Sequence, residues 1–404
     1  MISVRYIERE QYLTKLIHVM GTPDIKIITG VRGSGKHQLL DSFHEYIMNH
    51  VDNANIIHIN FNLKKYDYLK NCEDLYRFID EHYQVDKSNF VFIDEIQMCE
   101  EFEKAINWLH AEEKYDIYVT GSNAFLLSSD LATLFTGRTF EIEMYPFSFQ
   151  EFVKYYEYDD LNVAFDHYVL EGGMAGSYLY QSSSEKYDYL KNIYHTLIVR
   201  DITQKYKIRN TKLMDALNDF LMDNISNLIS SRSIARELSK EQNHKRKKDV
   251  SDKTINNYLK YLCNAFAFYK VRRYDIQGKK YLSSQDKYYL VDPAFKYAMI
   301  GTKNMNYGRI YENIVAIELL RRGYELYVGV LNKKEIDFVA MKKDEKLYIQ
   351  VSDDISNEKT FEREVTPLLQ IEDAYPKMVI ARTKHDNYQY EGVHIVDIAN
   401  WLSQ

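Results

Sequence analysis

Cysteine is scarce in this sequence: its 404 residues contain only three, Cys72, Cys99 and Cys263. None of them has CxxC spacing or a nearby pair of histidines, which excludes a disulfide framework and a cysteine-rich zinc site. Free, scattered cysteines are typical of a reducing compartment, and we therefore expect the protein in the cytoplasm.

Long apolar runs are also missing. No uninterrupted apolar stretch approaches the roughly 18 residues that a membrane helix needs. The first residues, MISVRYIEREQYL, are charged from the start and do not resemble a signal peptide. We therefore expect no membrane partner, and the sequence has no internal repeat or low-complexity segment that would suggest a fibrous protein.

The charge balance is mildly acidic, with a formal net charge of −7. This value argues against a chain that coats nucleic acid over its whole surface, although it allows a local basic face. The apolar fraction of 45% is enough for real cores, and the length predicts two to four domains.

A glycine-rich segment near the N-terminus, GVRGSGK, has the spacing of a phosphate-binding loop (P-loop). It lies between the apolar strand pattern at 24–30 and a helical pattern of apolar residues, as the mechanism requires. The glycines let backbone N–H groups face a phosphate, while the helix N-terminus and a lysine add positive charge. The candidate nucleotide-binding residues are Gly30, Arg32, Gly33, Ser34, Gly35, Lys36 and His37.

His37 departs from the P-loop pattern, in which the lysine is followed by Ser or Thr. That hydroxyl is a ligand of Mg²⁺, an ion that prefers oxygen, so an imidazole is a poor replacement. A natural variant, a deliberate substitution and compensation by another ligand all remain open. The sequence predicts ATP binding, and slow hydrolysis if Mg²⁺ is poorly held.

A second element of the nucleotide site is an apolar strand that ends in two acids, Asp94 and Glu95. We predict Asp94 as the Mg²⁺ ligand and Glu95 as the group that polarises the attacking water. Asn123 or Ser122, after the next strand, is the candidate for contact with the γ-phosphate or the water. Arg138 could reach a phosphate, either its own or that of a neighbouring copy; an ordinary surface arginine is the alternative.

These motifs, in this order, resemble the widespread bacterial and archaeal AAA-type ATPases that carry a C-terminal domain of unknown function. The resemblance covers nearly the whole chain, and its most specific parts are the segments at 121–138 and 145–152. It departs from the family at Met174-Ala175, where Gly172-Gly173 is usually followed by an apolar residue and Pro. Many relatives work as assemblies, so the resemblance implies that a homo-oligomer is one option.

The middle of the chain predicts a winged helix, with helices at 233–240 and 251–266 and wing strands on either side of Gly278. The second helix would offer DNA the residues Lys253, Thr254, Asn256, Asn257 and Lys260. The loop before it, His244 to Lys248, is the densest positive cluster in the sequence. A scaffold that packs on the ATPase, with a solvated loop, is the competing interpretation.

The C-terminal part resembles the PD-(D/E)xK nuclease core. Glu312 and Asp337 match two metal-binding positions of that motif, and strand alternation puts Gln350 and Ser352 on one face. However, Gln350 stands where the second strand carboxylate belongs, and Ser352 stands where the lysine belongs. We therefore predict a nuclease-like fold without nuclease activity.

Together these patterns predict an α/β protein: a P-loop parallel sheet covered by helices, then a helical lid, a winged helix and a restriction-endonuclease-like α/β domain. The predicted domains are 1–146, 147–205, 206–300 and 301–404. The first functional hypothesis is an AAA-type ATPase or nucleotide switch that uses ATP and Mg²⁺. The alternatives are a DNA-binding or defence-related protein in which nucleotide is structural, and an active metal-dependent nuclease.

Overall fold

The structure is a computed structural model that describes residues 7–121, 135, 137–242, 250–301, 305–332 and 334–404. The chain divides into two units. The first runs to Met144 and takes in Asn264–Phe266, and the second comprises Tyr145–Cys263 and Ala267–Gln404. The first unit thus ends close to the boundary that the sequence predicts at residue 146.

The first unit contains a parallel five-stranded sheet in the order β2-β3-β4-β1-β5, which confirms the predicted fold class. Its strands are β1 Ile25–Thr29, β2 Ala54–Asn60, β3 Ser88–Asp94, β4 Tyr115–Thr120 and β5 Thr139–Glu143. Its described α-helices are α1 Glu10–His18, α2 Lys36–His50, α3 Cys72–Glu81 and α4 Phe102–Ala111. Short 3-10 helices span Lys64–Leu69 and Ile96–Met98.

Apolar side chains on both faces of the sheet explain why it is covered by helices. All five residues of β1 are buried, as expected for a central parallel strand. In β3, Val91 and Ile93 belong to one core cluster, whereas Phe90 and Phe92 belong to the cluster on the opposite face. Since parallel strands end at the same edge, the segments after β1, β3 and β4 meet there.

The second unit combines helices with an eight-stranded mixed sheet in the order β12-β13-β11-β10-β9-β8-β6-β7. Its strands are β6 Phe268–Asp275, β7 Lys280–Leu290, β8 Glu325–Leu331, β9 Lys334–Lys342, β10 Glu345–Ser352, β11 Lys377–Ala381, β12 Tyr388–Tyr390 and β13 Val393–Asp397. Its described α-helices are α5 Phe149–Tyr156, α6 Leu161–Glu171, α7 Ser183–Thr196, α8 Thr211–Asp223, α9 Ser231–Gln242, α10 Asp252–Asn264, α11 Pro293–Ile300, α12 Tyr307–Arg321, α13 Glu358–Leu369 and α14 Ile398–Leu402. A 3-10 helix spans Ala175–Leu179, and a π-helix spans Leu197–Gln204.

One sheet crosses the domain boundary that the sequence predicts at residue 300. The two strands predicted as the wing, β6 and β7, form a hairpin, and β6 also pairs in parallel with β8, with Arg272 opposite Tyr327. The sequence analysis did not predict β8 or the short strand β12. Without β8, the partner of β6 in the C-terminal sheet was missing, so the two regions looked independent.

Across the described part of the chain, none of the helices combines the length and the apolar character that crossing a bilayer requires.

Candidate functional site

The P-loop segment follows β1 directly and leads into α2, which begins at Lys36. Gly30 has a φ of +132°, and a Cβ added there would lie 2.1 Å from the carbonyl oxygen of Met144. Gly35, with a φ of +94°, is the residue at which the chain turns into the helix. Both positions therefore require glycine, since a side chain would clash or strain the backbone.

Lys36 is buried, and its ammonium lies over the loop that precedes it. The Nζ atom donates to the carbonyl oxygens of Gly30 at 2.9 Å and Val31 at 3.1 Å. The loop, the N-terminus of a 15-residue helix and this ammonium together present positive charge at one place. This is the electrostatic arrangement that binds phosphate.

Two other P-loop side chains, Arg32 and Ser34, are at least half-buried, and one contact at the loop was not predicted. Arg32 is half-buried, and the buried hydroxyl of Ser34 has no hydrogen-bond partner among the described residues. The guanidinium of Arg9, only 3% exposed, donates to the carbonyl oxygen of Ser34 at 2.9 Å. Arg9 lies 25 residues before Ser34, outside any motif, so no pattern pointed to it.

Asp94, at the end of β3, is buried and has a partner on each carboxylate oxygen. Its Oδ1 accepts from the hydroxyl of Thr120, and its Oδ2 lies 3.0 Å from Nδ1 of His37. Burial works against the charge, but the contacts with His37 and Thr120 prevail and lower the pKa of Asp94. For His37, the contact with Asp94 raises the pKa and outweighs burial, which lowers it.

This geometry bears on whether the site fits Mg²⁺. The carboxylate of Asp94 is a suitable oxygen ligand, but the imidazole of His37 lies against it where the pattern would place a hydroxyl. The phosphate-binding features are therefore complete, whereas the Mg²⁺ features are only partly present.

Glu95 follows Asp94 in a left-handed backbone conformation, with φ 57° and ψ 47°. Its backbone N–H donates to the hydroxyl of Thr120 at 3.2 Å, and its carboxylate accepts from the amide of Gln97. A non-glycine residue rarely adopts this conformation, and such residues are enriched at functional sites. Thr120 thus contacts both candidate acids, a role that the sequence did not assign to it.

One predicted catalytic residue, Arg138, is not brought to the P-loop, and another, Asn123, lies outside the described residues. Arg138 is exposed, and its carbonyl oxygen accepts from the N–H of Ile25 at 2.8 Å, at the start of β1. The P-loop begins at the other end of that strand, roughly 17 Å away for five residues. An arginine side chain does not span that distance, so contact with the phosphate of its own chain is not supported; contact with a neighbouring copy stays a prediction.

The second unit contains a cluster of three acids around one buried lysine. Glu312 on α12 and Asp337 on β9, which match the nuclease motif in the sequence, both belong to this cluster. Lys287 on β7 lies between them. Its Nζ atom is 2.7 Å from Glu312 Oε1, 2.7 Å from Glu335 Oε1 and 3.4 Å from Asp337 Oδ1. The lysine side chain is only 3% exposed. Lys287 was missed because it lies 50 residues before Asp337, in a strand predicted for another domain.

Gln350 and Ser352 lie next to these acids, and neither side chain carries a charge. Gln350 accepts from the N–H of Asp337 at 2.6 Å and donates to Glu364 at 3.1 Å. Ser352 donates to the carbonyl oxygen of Asp354 at 3.1 Å. An open cavity of about 840 Å³ adjoins these residues.

The charges of this cluster depend on one another. Burial disfavours a charge on Lys287, yet the three acids overcome it and raise the pKa of the lysine. Burial raises the pKa of Glu312 to about 8, although Lys287 pulls in the opposite direction. Lys287 therefore stays charged, and its ammonium lies between the carboxylates.

The parallel sheet, the loop after β1 and the acid at the end of β3 define the first unit as a P-loop nucleotide-binding fold. Comparison with known families agrees: residues 22–153 match the family described as "AAA domain". Residues 162–306 match a second family, described as "Domain of unknown function (DUF8612)".

An "Uncharacterized protein" of Haemophilus influenzae is 38% identical to this chain over 409 aligned positions, covering 100% of both chains. The chain belongs to the same family as this protein. Another "Uncharacterized protein", from Methanocaldococcus jannaschii, is 29% identical and covers 84% of this chain and 77% of its own.

Among solved structures, a Walker-type ATPase of Pyrococcus abyssi is 16% identical, with a TM-score of 0.48, over 73% of this chain and 96% of that chain. The Orc1 protein of Aeropyrum pernix in complex with DNA is 12% identical, with a TM-score of 0.33, over 73% and 93%. Likenesses this distant say nothing about activity.

Proposed function

We propose that the first unit binds ATP and acts as a nucleotide switch with slow hydrolysis. The observation that carries this proposal is the position of Lys36, whose buried ammonium lies over the P-loop at 2.9 Å from Gly30 O. This ammonium, the glycine-rich loop and the N-terminus of α2 bring positive charge together at one place. A triphosphate placed at the start of α2 would complement that charge.

The residues that would act in hydrolysis are Asp94, Glu95 and Thr120. Asp94 offers a carboxylate to Mg²⁺, which when bound would neutralise phosphate charge. Glu95 is the candidate for orienting a water molecule, and the Thr120 hydroxyl fixes the positions of both acids. His37 competes for Asp94, and we therefore propose a slow reaction.

The test is calorimetric titration of the full chain with ATP. We expect Lys36→Ala to lose at least tenfold in affinity, because it removes the ammonium that lies over the loop and would pair with the phosphates. Lys104→Ala is the matched control, since Lys104 is an exposed lysine on α4 that pairs with Glu101 at 2.6 Å. Equal affinities of the Lys36→Ala variant and the wild type would refute the proposal.

We further propose that residues 147–205 form a lid and that α9, α10, β6 and β7 form a winged helix that transmits the nucleotide state. DNA contact is the second candidate function. It is favoured by α10, which buries Ile255 and Leu259 while Lys253 and Lys260 are exposed, as a helix offered to a groove requires. The basic loop at 244–248 lies outside the described residues.

For the region 301–404 we propose a nuclease-like fold without cleavage activity. The acids Glu312 and Asp337 support the likeness, and two features argue against catalysis. The ammonium of Lys287 neutralises these acids, and Gln350 is an amide engaged with Asp337 and Glu364. The alternative, an active nuclease, requires metal-dependent DNA cleavage that Asp337→Ala abolishes; we expect no cleavage by either protein.

A further inference from the structure

A histidine and carboxylate cluster lies beside the P-loop, between α2 and strand β2. His37 and Asp41 are four residues apart on this helix and so share one face. His58 comes from the neighbouring strand β2. One potential ligand atom from each of the three residues lies within 4.8 Å of the other two.

The sheet directs His58 toward this cluster. Its neighbours Ile57 and Ile59 point into the core cluster on the opposite face, so His58 faces the side on which α2 packs. Its ring contacts that of Phe92 edge-on, with ring centroids 5.9 Å apart. Nε2 of His58 is buried and has no hydrogen-bond partner among the described residues. A buried imidazole nitrogen of this kind needs a hydrogen-bond partner or, where it carries the lone pair, a metal ion.

The two ring nitrogens of His37 face different carboxylates. Nδ1 lies 3.0 Å from Asp94 Oδ2, while Nε2 lies 3.4 Å from Asp41 Oδ2. A proton on Nδ1, facing Asp94, leaves a lone pair on Nε2. Histidines that bind metals are typically held in this way, with the second nitrogen donating to a carboxylate.

The distances suit a tetrahedral ion. With metal–ligand bonds of about 2.0–2.1 Å, neighbouring ligand atoms of a tetrahedron lie about 3.4 Å apart. The His37–Asp41 pair already has this separation, and the ligand atom of His58 lies within 4.8 Å of the other two. The side chains of His37 and Asp41 are 44% and 53% exposed, which leaves a fourth position open to water.

We propose that His37, Asp41 and His58 form a binding site for a transition-metal dication of the Zn²⁺ class. Two imidazoles and one carboxylate favour Zn²⁺, Co²⁺ or Ni²⁺, whereas Mg²⁺ and Ca²⁺ prefer oxygen ligands alone. The site goes beyond the proposed nucleotide function, because none of its contacts requires a nucleotide. Its consequence for that function is that a bound ion holds His37 in its contact with Asp94.

Co²⁺ is a suitable probe, because its visible absorption reports coordination number and ligand type. We expect the metal-free full chain to bind one Co²⁺ with a tetrahedral spectrum that lacks a thiolate band, and Zn²⁺, but not excess Mg²⁺, to displace it. Asp41→Asn and His58→Gln should each weaken binding at least about tenfold, since even loss of a residue that only supports a metal ligand typically costs 10–100-fold.

The matched control is His50→Gln, which removes an exposed imidazole from the last turn of the same helix. It should bind Co²⁺ like the wild type, and thermal melting should show that all variants are folded. Absence of a tetrahedral spectrum, a thiolate band, or equal binding by the Asp41→Asn, His58→Gln and His50→Gln variants would overturn the proposal.

The Lys36→Ala variant separates this proposal from the nucleotide proposal. It should keep the Co²⁺ spectrum while losing ATP binding, because its side chain is not among the three ligands. A protein that fails to bind ATP but binds Co²⁺ through Asp41 and His58 would refute only the nucleotide proposal.

Discussion

Replacing Lys287 with methionine should strongly destabilise the second unit. Methionine keeps much of the length of the lysine stem but leaves Glu312, Glu335 and Asp337 without the ammonium that lies 2.7–3.4 Å from them. Removing one partner of a buried ion pair costs about 3–5 kcal/mol, because the remaining charge stays buried. For a unit of this size, the loss corresponds to a fall in melting temperature on the order of 10 °C.

The stability lost in the Lys287→Met variant should depend on pH, and the protonation of Glu312 determines whether the loss grows or shrinks as the pH rises. The folded-state pKa of Glu312 is about 8, above the ordinary value of 4.5, so protonation of this residue favours the folded state. That stabilisation is fully present below about pH 4.5 and disappears as the pH rises through about 8. Without Lys287, the ionised carboxylate becomes still less favourable. The Lys287→Met variant should therefore be closer to the wild type at pH 5 than at pH 8.5.

Thermal melting by circular dichroism at both pH values measures this effect. Lys334→Met is the matched control, since Lys334 is an exposed lysine at the rim of the same cavity. The double variant Lys287→Met/Glu312→Gln should recover part of the loss at pH 8.5, because it removes one of the stranded charges. A Lys287→Met midpoint within about 2 °C of the wild type at pH 8.5, where the loss should be on the order of 10 °C, would refute the reasoning.

Two further predictions concern the nucleotide site and DNA. His37→Thr should raise Mg²⁺-dependent ATP hydrolysis several-fold in a phosphate-release assay, because it restores an oxygen ligand and frees Asp94; a rate equal to or below the wild type would show that His37 is not the defect. Lys253→Gln/Lys260→Gln should weaken binding to duplex DNA and reduce the slope of log affinity against log salt by about 2, roughly one unit for each lost phosphate contact. The control Lys104→Gln should leave that slope unchanged, and an unchanged slope in the double variant would refute DNA contact through α10.

Local patterns predicted the first unit well, because its motif is contiguous and its strands are short apolar runs. The P-loop glycines and the apolar strand before Asp94 need no long-range information, and the predicted parallel sheet is confirmed. The roles of Asp94, Glu95 and Lys36 stay predictions, as does binding of Mg²⁺.

The sequence could not predict contacts that depend on how distant segments pair. Arg9 reaches the P-loop from outside the motif, and Lys287 joins the acidic cluster only because β7 belongs to the C-terminal sheet. Arg138 shows the opposite case. In the sequence it comes soon after the candidate residues that follow β4. The register of β1 and β5, however, places it where these strands start, and the P-loop lies at their other end.

The pairing of β6 with β8 determines where this protein can be cut into fragments. A fragment that begins at residue 301 would lack β6 and β7, so the N–H and C=O groups along one edge of β8 would lose their partners. Such an unpaired edge is prone to recruit strands from other molecules. The same fragment would also lose Lys287 and leave its acids uncompensated. A shortened protein meant for study of the C-terminal sheet should therefore begin before Phe268.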